Sequence, residues 1–246
     1  MKQLVLYTLI LFFLNPFSSD AQRWKRYRYE ILGGIGTTNV FGDMGGGSGE
    51  AGTIRDFDIE GTGVNIFVGM RYKLGELLYV KTNFIYSFSV TSDNFTDNEA
   101  RSNRGAHSYV SFIEPSVQLE YSLVKERYSR RYSYSNIRGF KLAHINTYLF
   151  IGVGGLLYFP SIESDNNTDI GEDPGIFAAS FPMGFGFKYS INRQYSIGME
   201  LGYRFTTTDY LDGLSDKYSK ANDSYMFIQF SISKKLKTSR KGVPRF

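Results

Sequence analysis

A strict alternation of apolar and polar residues is the feature that most constrains how this chain can fold. Apolar side chains occupy the even positions of Val64–Tyr72, and the same pattern returns in Val80–Val90 after the short connection Lys73–Leu77. A period of two over such lengths predicts two β-strands, and Gly75 favours a hairpin turn between them. Each strand has about ten residues or more, the length that crosses a membrane as a tilted strand.

The first residues have the features of an export signal and are excluded from the fold. Lys2 precedes the apolar run Leu4–Leu14, and small residues ending at Ala21 form a cleavage site, so residues 1–21 are predicted to be a cleaved signal peptide. An N-terminal anchor helix is the alternative, but it needs roughly 20 apolar residues. Asn15 and Pro16 interrupt this run too early.

Six further segments repeat the alternation of the hairpin and predict six more strands. These are about Tyr27–Thr38, His107–Val124, Ala143–Phe159, Phe177–Tyr189, Tyr195–Phe205 and Tyr225–Ile232. Pro115 removes a ladder hydrogen bond from the second of them and predicts a bulge or local break. An even strand count with alternating loop lengths predicts an all-β fold, an eight-stranded up-and-down transmembrane β-barrel with long extracellular loops. The barrel is predicted over residues 22–236, with a basic C-terminal tail at 237–246.

Periodicity alone does not say whether the apolar face meets lipid or a protein core, and a soluble lipocalin-like barrel would alternate in the same way. Three observations favour lipid. The apolar face carries more Phe and Tyr than a narrow eight-stranded interior could hold. The opposite face is small or charged, as in Gly184, Gly186, Glu120 and Glu200. Tyrosines also cluster near strand ends, as the aromatic girdles of membrane barrels do. The charges are predicted to plug the interior as ion pairs, with a narrow channel as the alternative.

Charge is segregated between the two ends of the predicted barrel. The loops that follow odd-numbered strands are net acidic, whereas the N-terminus, the C-terminal tail and the connection 125–141 are net basic. The electric field of this charge distribution would steer an acidic partner or anionic lipid to the basic end. The alternative explanation is that the charges only flank the membrane span, as they do in any membrane protein. The basic connection mixes arginine and tyrosine, the residue types that anchor protein interfaces. Its predicted partner-binding residues are Arg127, Arg130, Arg131, Tyr132, Tyr134 and Arg138.

Residues that would carry catalysis or hold a cofactor are sparse. The chain has no cysteine and two histidines. His107-Ser108 near a barrel mouth resembles part of an outer-membrane lipid A deacylase site, but the surrounding motif is missing. The acidic loops lack the spacing of an EF-hand. We therefore expect no enzymatic activity, no cofactor and no metal, and the predicted export argues against a nucleic-acid partner.

Two stretches are specific enough to resemble a known family. Gly33–Gly46 reads GGIGTTNVFGDMGG, and Phe205–Tyr218 reads FTTTDYLDGLSDKY. They resemble the first strand with its loop, and the loop after strand seven, of the PorG-like outer-membrane proteins of Bacteroidetes. That second loop typically reads TDYLDDVS, whereas Gly213 and Leu214 stand here in place of its second Asp and Val. The matching motif residues are Gly42, Asp43, Thr208, Asp209, Tyr210, Asp212 and Ser215.

The resemblance implies a component of the type IX protein secretion system that resides in the outer membrane. It implies association with the periplasmic ring built by the lipoprotein PorK and its partner PorN, and no enzymatic activity. The expected surroundings are the lipid bilayer and lipopolysaccharide. The alternative is a general small outer-membrane barrel with a structural or ligand-binding role.

Overall fold

The fold is built almost entirely from β-strands. The computed structural model describes residues 26–41, 61–92, 106–124, 145–164, 177–208, 210–211, 222–239 and 243–245. Its strands are β1 (Tyr29–Phe41), β2 (Gly63–Lys73), β3 (Leu78–Ser92), β4 (Ala106–Ser122), β5 (Ile145–Ser164), β6 (Phe177–Ser190), β7 (Tyr195–Thr206), β8 (Ser224–Thr238) and β9 (Pro244–Arg245). No helix among these residues is long and apolar enough to span a membrane.

The strands form a closed barrel with each neighbour antiparallel. Consecutive strands pair along the sheet, and β1 also pairs with β8, from Tyr29 opposite Leu236 to Phe41 opposite Ser224. This closure leaves the eight long strands without a free edge. The predicted eight-stranded up-and-down barrel is therefore confirmed. The short β9 lies outside it and folds back onto the end of β8, where Arg245 pairs with Lys237.

Two ends of the barrel are distinguished by their connections. Residues 74–77 and 191–194 connect β2 to β3 and β6 to β7 in tight turns, and we call this the turn end. At the turn of residues 191–194, the Asn192 side-chain oxygen accepts hydrogen bonds from the backbone of Gln194 and Tyr195, at 2.8 and 2.7 Å. The opposite end, where the longer connections leave the strands, is the loop end.

Two strands are longer than the alternation predicted. β5 continues from Phe159 to Ser164, and its last residues pair with the start of β4. β8 continues from Ile232 to Thr238, so that Lys235 lies inside the barrel, where it donates to Ser190 at 3.4 Å. The end of β8 was not predicted because lysines occupy both faces of the strand there, so apolar and polar residues no longer alternate in the sequence.

As expected, successive side chains alternate between the two faces of each strand. Over much of each strand the apolar side chains point outward and the polar side chains point inward. The outer face exposes large apolar side chains around the barrel, among them Ile35 at 67% and Phe177 at 69%. Pro115 produces a local break rather than a bulge. Pairing between β4 and β5 stops after Ile113–Leu157 and resumes at Ser116–Gly154 in the same register. A second break between β5 and β6 lies next to Pro182.

Candidate functional site: the barrel interior and its loop-end mouth

The turn-end half of the interior is filled by charged side chains, and we call the six that form one network the charged layer. Alternation on strands β1 to β4 and β6 to β7 points these side chains inward, and all of them are buried. Three are carboxylates and three are cations, and the buried Lys73 and Lys235 add two more cations to the same half of the interior. Its members are Glu30, Arg71, Lys81, Glu120, Lys188 and Glu200.

Arg71 is the centre of the charged layer. Its guanidinium binds Glu120 through two nitrogens, Nε to Oε2 at 2.5 Å and Nη2 to Oε1 at 2.9 Å. It also lies 3.4 Å from Glu30 and 3.4 Å from Glu200. One arginine therefore ties together carboxylates from three separate strands, a use that suits its planar, multi-donor head.

Two lysines complete the pairing of the carboxylates. Lys81 Nζ lies 2.5 Å from Glu200 and 3.4 Å from Glu120, and Lys188 Nζ lies 3.1 Å from Glu30. The Tyr148 hydroxyl donates to Glu200 at 2.6 Å. Because buried charges are costly unless they are paired and hydrogen-bonded, this network is stable only as a set.

Glycines on β6 and β7 leave room for the aromatic rings of β5 that cross the interior. A Cβ at Gly186 would lie 2.5 Å from the Tyr148 hydroxyl, and a Cβ at Gly184 or Gly202 would lie 2.8 or 2.9 Å from the Phe150 ring. Any larger residue would displace these rings. Glycine at these positions therefore leaves room for the rings of Tyr148 and Phe150, and at Gly184 also for the Leu201 carbonyl oxygen, which a Cβ would approach to 2.1 Å.

The loop-end half of the interior is apolar, which the sequence analysis did not predict. Buried apolar side chains from all parts of the barrel pack into one cluster, which we call the apolar layer; it comprises Leu32, Phe67, Ile85, Val110, Phe112, Leu156, Tyr158, Ala178, Leu211, Tyr225 and Phe227. The expectation that the inward face is small or charged holds here for Glu114, Arg204 and buried serines such as Ser108, but it missed the large apolar side chains of this cluster. Aromatic rings lie on both faces of the wall, so crowding of rings alone did not identify the lipid side.

A single ion pair is embedded in the apolar layer. Arg204 Nε lies 3.6 Å from Glu114 Oε2, and the Tyr225 hydroxyl donates to the same carboxylate oxygen at 2.6 Å. The Arg204 guanidinium also stacks over Phe227, with Cζ 4.2 Å from the ring centroid. These contacts hold both charges within the aromatic side chains around them.

A band of uncharged polar side chains separates the two layers. It contains Asn83, Ser116 and Gln118, all of which are buried. Neither amide of Asn83 and Gln118 hydrogen-bonds to any residue that the structure describes. The band therefore gains no stability from the hydrogen bonds of these two amides.

Part of the second motif packs into the loop-end mouth. Leu211 is fully buried and belongs to the apolar layer, and Tyr210 packs against that layer. The Tyr158 and Thr208 hydroxyls share a hydrogen bond of 3.0 Å. Asp223 holds the other end of the connection, since its carboxylate accepts from the Leu211 backbone at 2.7 Å. We call residues 206–211, as far as they are described, together with Asp223 the plug.

Only two of the predicted site residues can be placed. Thr208 and Tyr210 lie in the plug, where they bond or pack within the barrel mouth. The other motif residues, Gly42, Asp43, Asp209, Asp212 and Ser215, lie outside the described residues. So do the predicted partner-binding residues Arg127, Arg130, Arg131, Tyr132, Tyr134 and Arg138.

Leu211 is the plug residue that sequence reasoning missed. A leucine in a mostly polar connection was the available signal, because a solvated loop gains nothing from it, but Leu214 in the same connection offers the same signal. Among the described residues, no group of three His, Cys, Asp or Glu side chains is placed to hold a metal ion. Paired charges, packed rings and the plug follow one another along the axis of this interior.

A family model described as a domain of unknown function, DUF6089, matches residues 6–235. The chain belongs to this family. No curated protein matches it in sequence. Three solved structures illustrate what this family member is similar to in shape, and all are outer-membrane barrels or surface proteins.

Neisserial surface protein A is 6% identical, with a TM-score of 0.49, covering 84% of this chain and 96% of that one. The attachment invasion locus protein of Yersinia pestis is 9% identical with a TM-score of 0.42, covering 85% and 99%. OprG of Pseudomonas aeruginosa is 8% identical with a TM-score of 0.40, covering 87% and 99%.

A closed sheet with an apolar exterior is the form in which strands cross a membrane, because closure satisfies every backbone group and the exterior suits lipid. The exterior of this barrel meets that requirement. The fold is that of a small outer-membrane β-barrel.

Proposed function

We propose that this chain is a non-catalytic outer-membrane component of the type IX protein secretion system that anchors a periplasmic ring of the PorK and PorN kind. The observation that carries the proposal is a basic turn end on a barrel whose interior is filled. A filled barrel is suited to anchor a partner rather than to conduct one.

Orientation follows from the connections. In outer-membrane barrels the short turns face the periplasm and the long loops face outward. The turn end therefore faces the periplasm. Exposed cations at this end include Arg26, Arg193, Lys234 and Lys237.

The basic connection 125–141 must leave and re-enter the barrel at the same end. β4 ends at Ser122 and β5 begins at Ile145, and the Leu123 backbone donates to Thr147 at 2.8 Å. Both attachment points thus lie at the turn end, beside the exposed cations. The connection adds five net positive charges there, so an acidic face of a ring would meet complementary charge.

The family resemblance supplies the partner. The two motifs resemble PorG-like proteins, and one of them forms the plug. The plug packs into the outward mouth, which favours a role on the periplasmic side. A general small barrel with a structural or ligand-binding role is the alternative, and a barrel without a stable partner would support it.

The test is co-purification from outer membranes in a gentle detergent, with the full chain tagged in an outward loop and the captured proteins identified by mass spectrometry. We expect a lipoprotein and its ring partner with the unmodified chain. The triple variant Arg127→Glu, Arg130→Glu and Arg131→Glu should release them.

The matched control reverses three arginines in the outward loops, Arg55→Glu, Arg101→Glu and Arg104→Glu, and should retain the ring. Heat-modifiable migration on gels checks that every variant is folded. Recovery of the barrel alone, where other envelope complexes stay intact, would contradict the proposal. Equal ring recovery from both triple variants would contradict the assignment of the docking surface.

A further inference from the structure

We propose that the outer wall of the barrel carries a binding site for one anionic glycerophospholipid of the periplasmic leaflet. The site is a groove of about 600 Å³ that crosses β6, β7, β8 and β1 and reaches Ile145 at the start of β5. This volume falls within the range of roughly 300–1,000 Å³ typical of small-molecule sites. It lies outside the interior described above and is independent of the proposed ring partner.

Strand register defines the groove as two outward rows. Residues opposite one another on paired strands share a face, so Gly33, Ile232, Ile197 and Tyr189 form one row. The row nearer the membrane centre contains Ile35, Phe230, Met199 and Phe187. Apart from the tyrosine hydroxyl, both rows present only apolar atoms, and a lipid chain is the apolar ligand available at this depth.

Gly33 creates the groove because it interrupts a wall of large side chains. A Cβ at Gly33 would meet only the Phe67 carbonyl at 3.5 Å and Val68 Cγ1 at 3.8 Å, which are ordinary contacts. The barrel therefore does not need glycine here for its own packing. This contrasts with Gly34 next to it, where a Cβ would lie 1.9 Å from the Phe230 carbonyl oxygen.

A cation lies directly below the apolar rows. Lys234 pairs with Ile31 on β1 and with Tyr195 on β7, and all three side chains are exposed on the outer wall. One row along a strand is roughly 7 Å, so Lys234 follows the Ile232 row towards the turn end. A lysine at that level extends its ammonium to the headgroup region.

The two features fit one ligand. An acyl chain occupies the rows of the groove while the phosphate of the same lipid meets Lys234, with the phenols of Tyr189 and Tyr195 at the level of the headgroup. Because the turn end faces the periplasm, the lipid comes from the periplasmic leaflet. Its chemistry is that of a glycerophospholipid with a net negative headgroup, such as phosphatidylglycerol.

The test is native mass spectrometry of the full chain, released from micelles containing equal amounts of phosphatidylglycerol and phosphatidylethanolamine. We expect one phosphatidylglycerol to stay bound. Gly33→Leu fills the groove and should weaken retention of either lipid about tenfold. Val153→Leu also places a leucine on the outer wall, on β5 outside the groove lining, and should behave as the unmodified chain.

A second pair of variants tests the headgroup. Lys234→Gln should lower the preference for phosphatidylglycerol about fivefold, since one lysine near a membrane surface attracts an anionic lipid by about that factor. Lys237→Gln removes an equal charge from an exposed position nearer the end of β8. This variant should leave the preference for phosphatidylglycerol unchanged. If Gly33→Leu does not fold, Met199→Phe fills the groove from its other row.

Equal lipid retention by Gly33→Leu and Val153→Leu would overturn the proposal. So would an unmodified chain that holds both lipids equally. A dimer of this chain that Gly33→Leu dissociates would assign the groove to a second copy instead. Competition by inorganic phosphate alone would show an anion site without an acyl chain, and would overturn it too.

Discussion

The charged layer and the apolar layer fill the same barrel by different physical means. In the charged layer Arg71 holds three carboxylates in fixed geometry, and each contact depends on the others. In the apolar layer rings such as Phe112 and Phe227, whose centroids lie 6.1 Å apart, pack without directional bonds. The arrangement of the charged layer is therefore fixed by ion pairs, and that of the apolar layer by how well its side chains fill the available volume. Changes of charge should therefore be severe in the first layer, and changes of size should be graded in the second.

The largest effect should come from removing the centre of the charged layer. Arg71→Met leaves three buried carboxylates with two lysines and should lower the free energy of unfolding by about 3–5 kcal/mol. Urea unfolding in micelles, followed by circular dichroism, measures it. Adding Glu120→Gln to this variant should recover part of the loss. Arg193→Met at an exposed turn is the control, with a change of at most about 0.5 kcal/mol. Equal losses of stability in the single and double variants would show that the charged layer is not held together by its ion pairs.

A smaller loss is expected at the plug. Leu211→Ala removes a fully buried side chain from the apolar layer and should cost about 2 kcal/mol, near the lower end for such changes because a mouth can partly collapse. Leu74→Ala changes the same residue type in an exposed turn and should be nearly neutral. The urea unfolding midpoints of the two variants measure this difference in stability. An unaltered midpoint for Leu211→Ala would show that the plug does not belong to the apolar layer.

A change of shape within the apolar layer should be tolerated. Phe112→Leu keeps an apolar side chain of similar volume and should cost about 1 kcal/mol. The same unfolding assay applies. A loss as large as that of Arg71→Met would mean that this layer, too, depends on one geometry.

The smallest effect is expected at the band between the layers. Gln118 is buried, and its amide has no hydrogen-bonding partner among the described residues. Replacement by an apolar group of similar size should then be neutral or stabilising by up to about 1 kcal/mol. Gln118→Leu tests this, with Gln229→Leu as the control, because Gln229 donates to Asn65 at 3.0 Å and should lose stability. Equal losses in both would remove the distinction between the band and the bonded interior.

Much of the fold could be predicted because strand periodicity is a local property. The alternation in Val64–Tyr72 identified β2 and its outward face without knowledge of any neighbour. The end of β8 was harder, since Lys234 and Lys235 look alike in sequence although one faces lipid and the other the interior. Where a strand continues into a run of basic residues, the alternation of apolar and polar residues can no longer be recognised in the sequence.

The candidate site was predicted less well because contacts across the lumen are not local. Phe67 and Ile85 are single apolar residues on otherwise polar faces, and only the closed barrel shows that they meet Phe112 and Leu156 in one cluster. The motif containing Thr208 and Tyr210 was found by resemblance, but its packing into the mouth required the tertiary structure. The sequence predicted that ion pairs fill the interior, but it did not predict which carboxylates pair with Arg71.

The pairing of β1 with β8 has a consequence for how the protein is made. Tyr29 of β1 pairs with Leu236 of β8. The backbone hydrogen bonds on this edge of β1 therefore cannot form until nearly the whole chain has reached the membrane. Contacts of such large sequence separation form slowly, because the intervening chain must be ordered before they bring any gain. An unclosed edge is also intolerable in lipid. Insertion and closure are therefore one event, and a chain that lacks β8 should wait outside the bilayer rather than enter it partly formed.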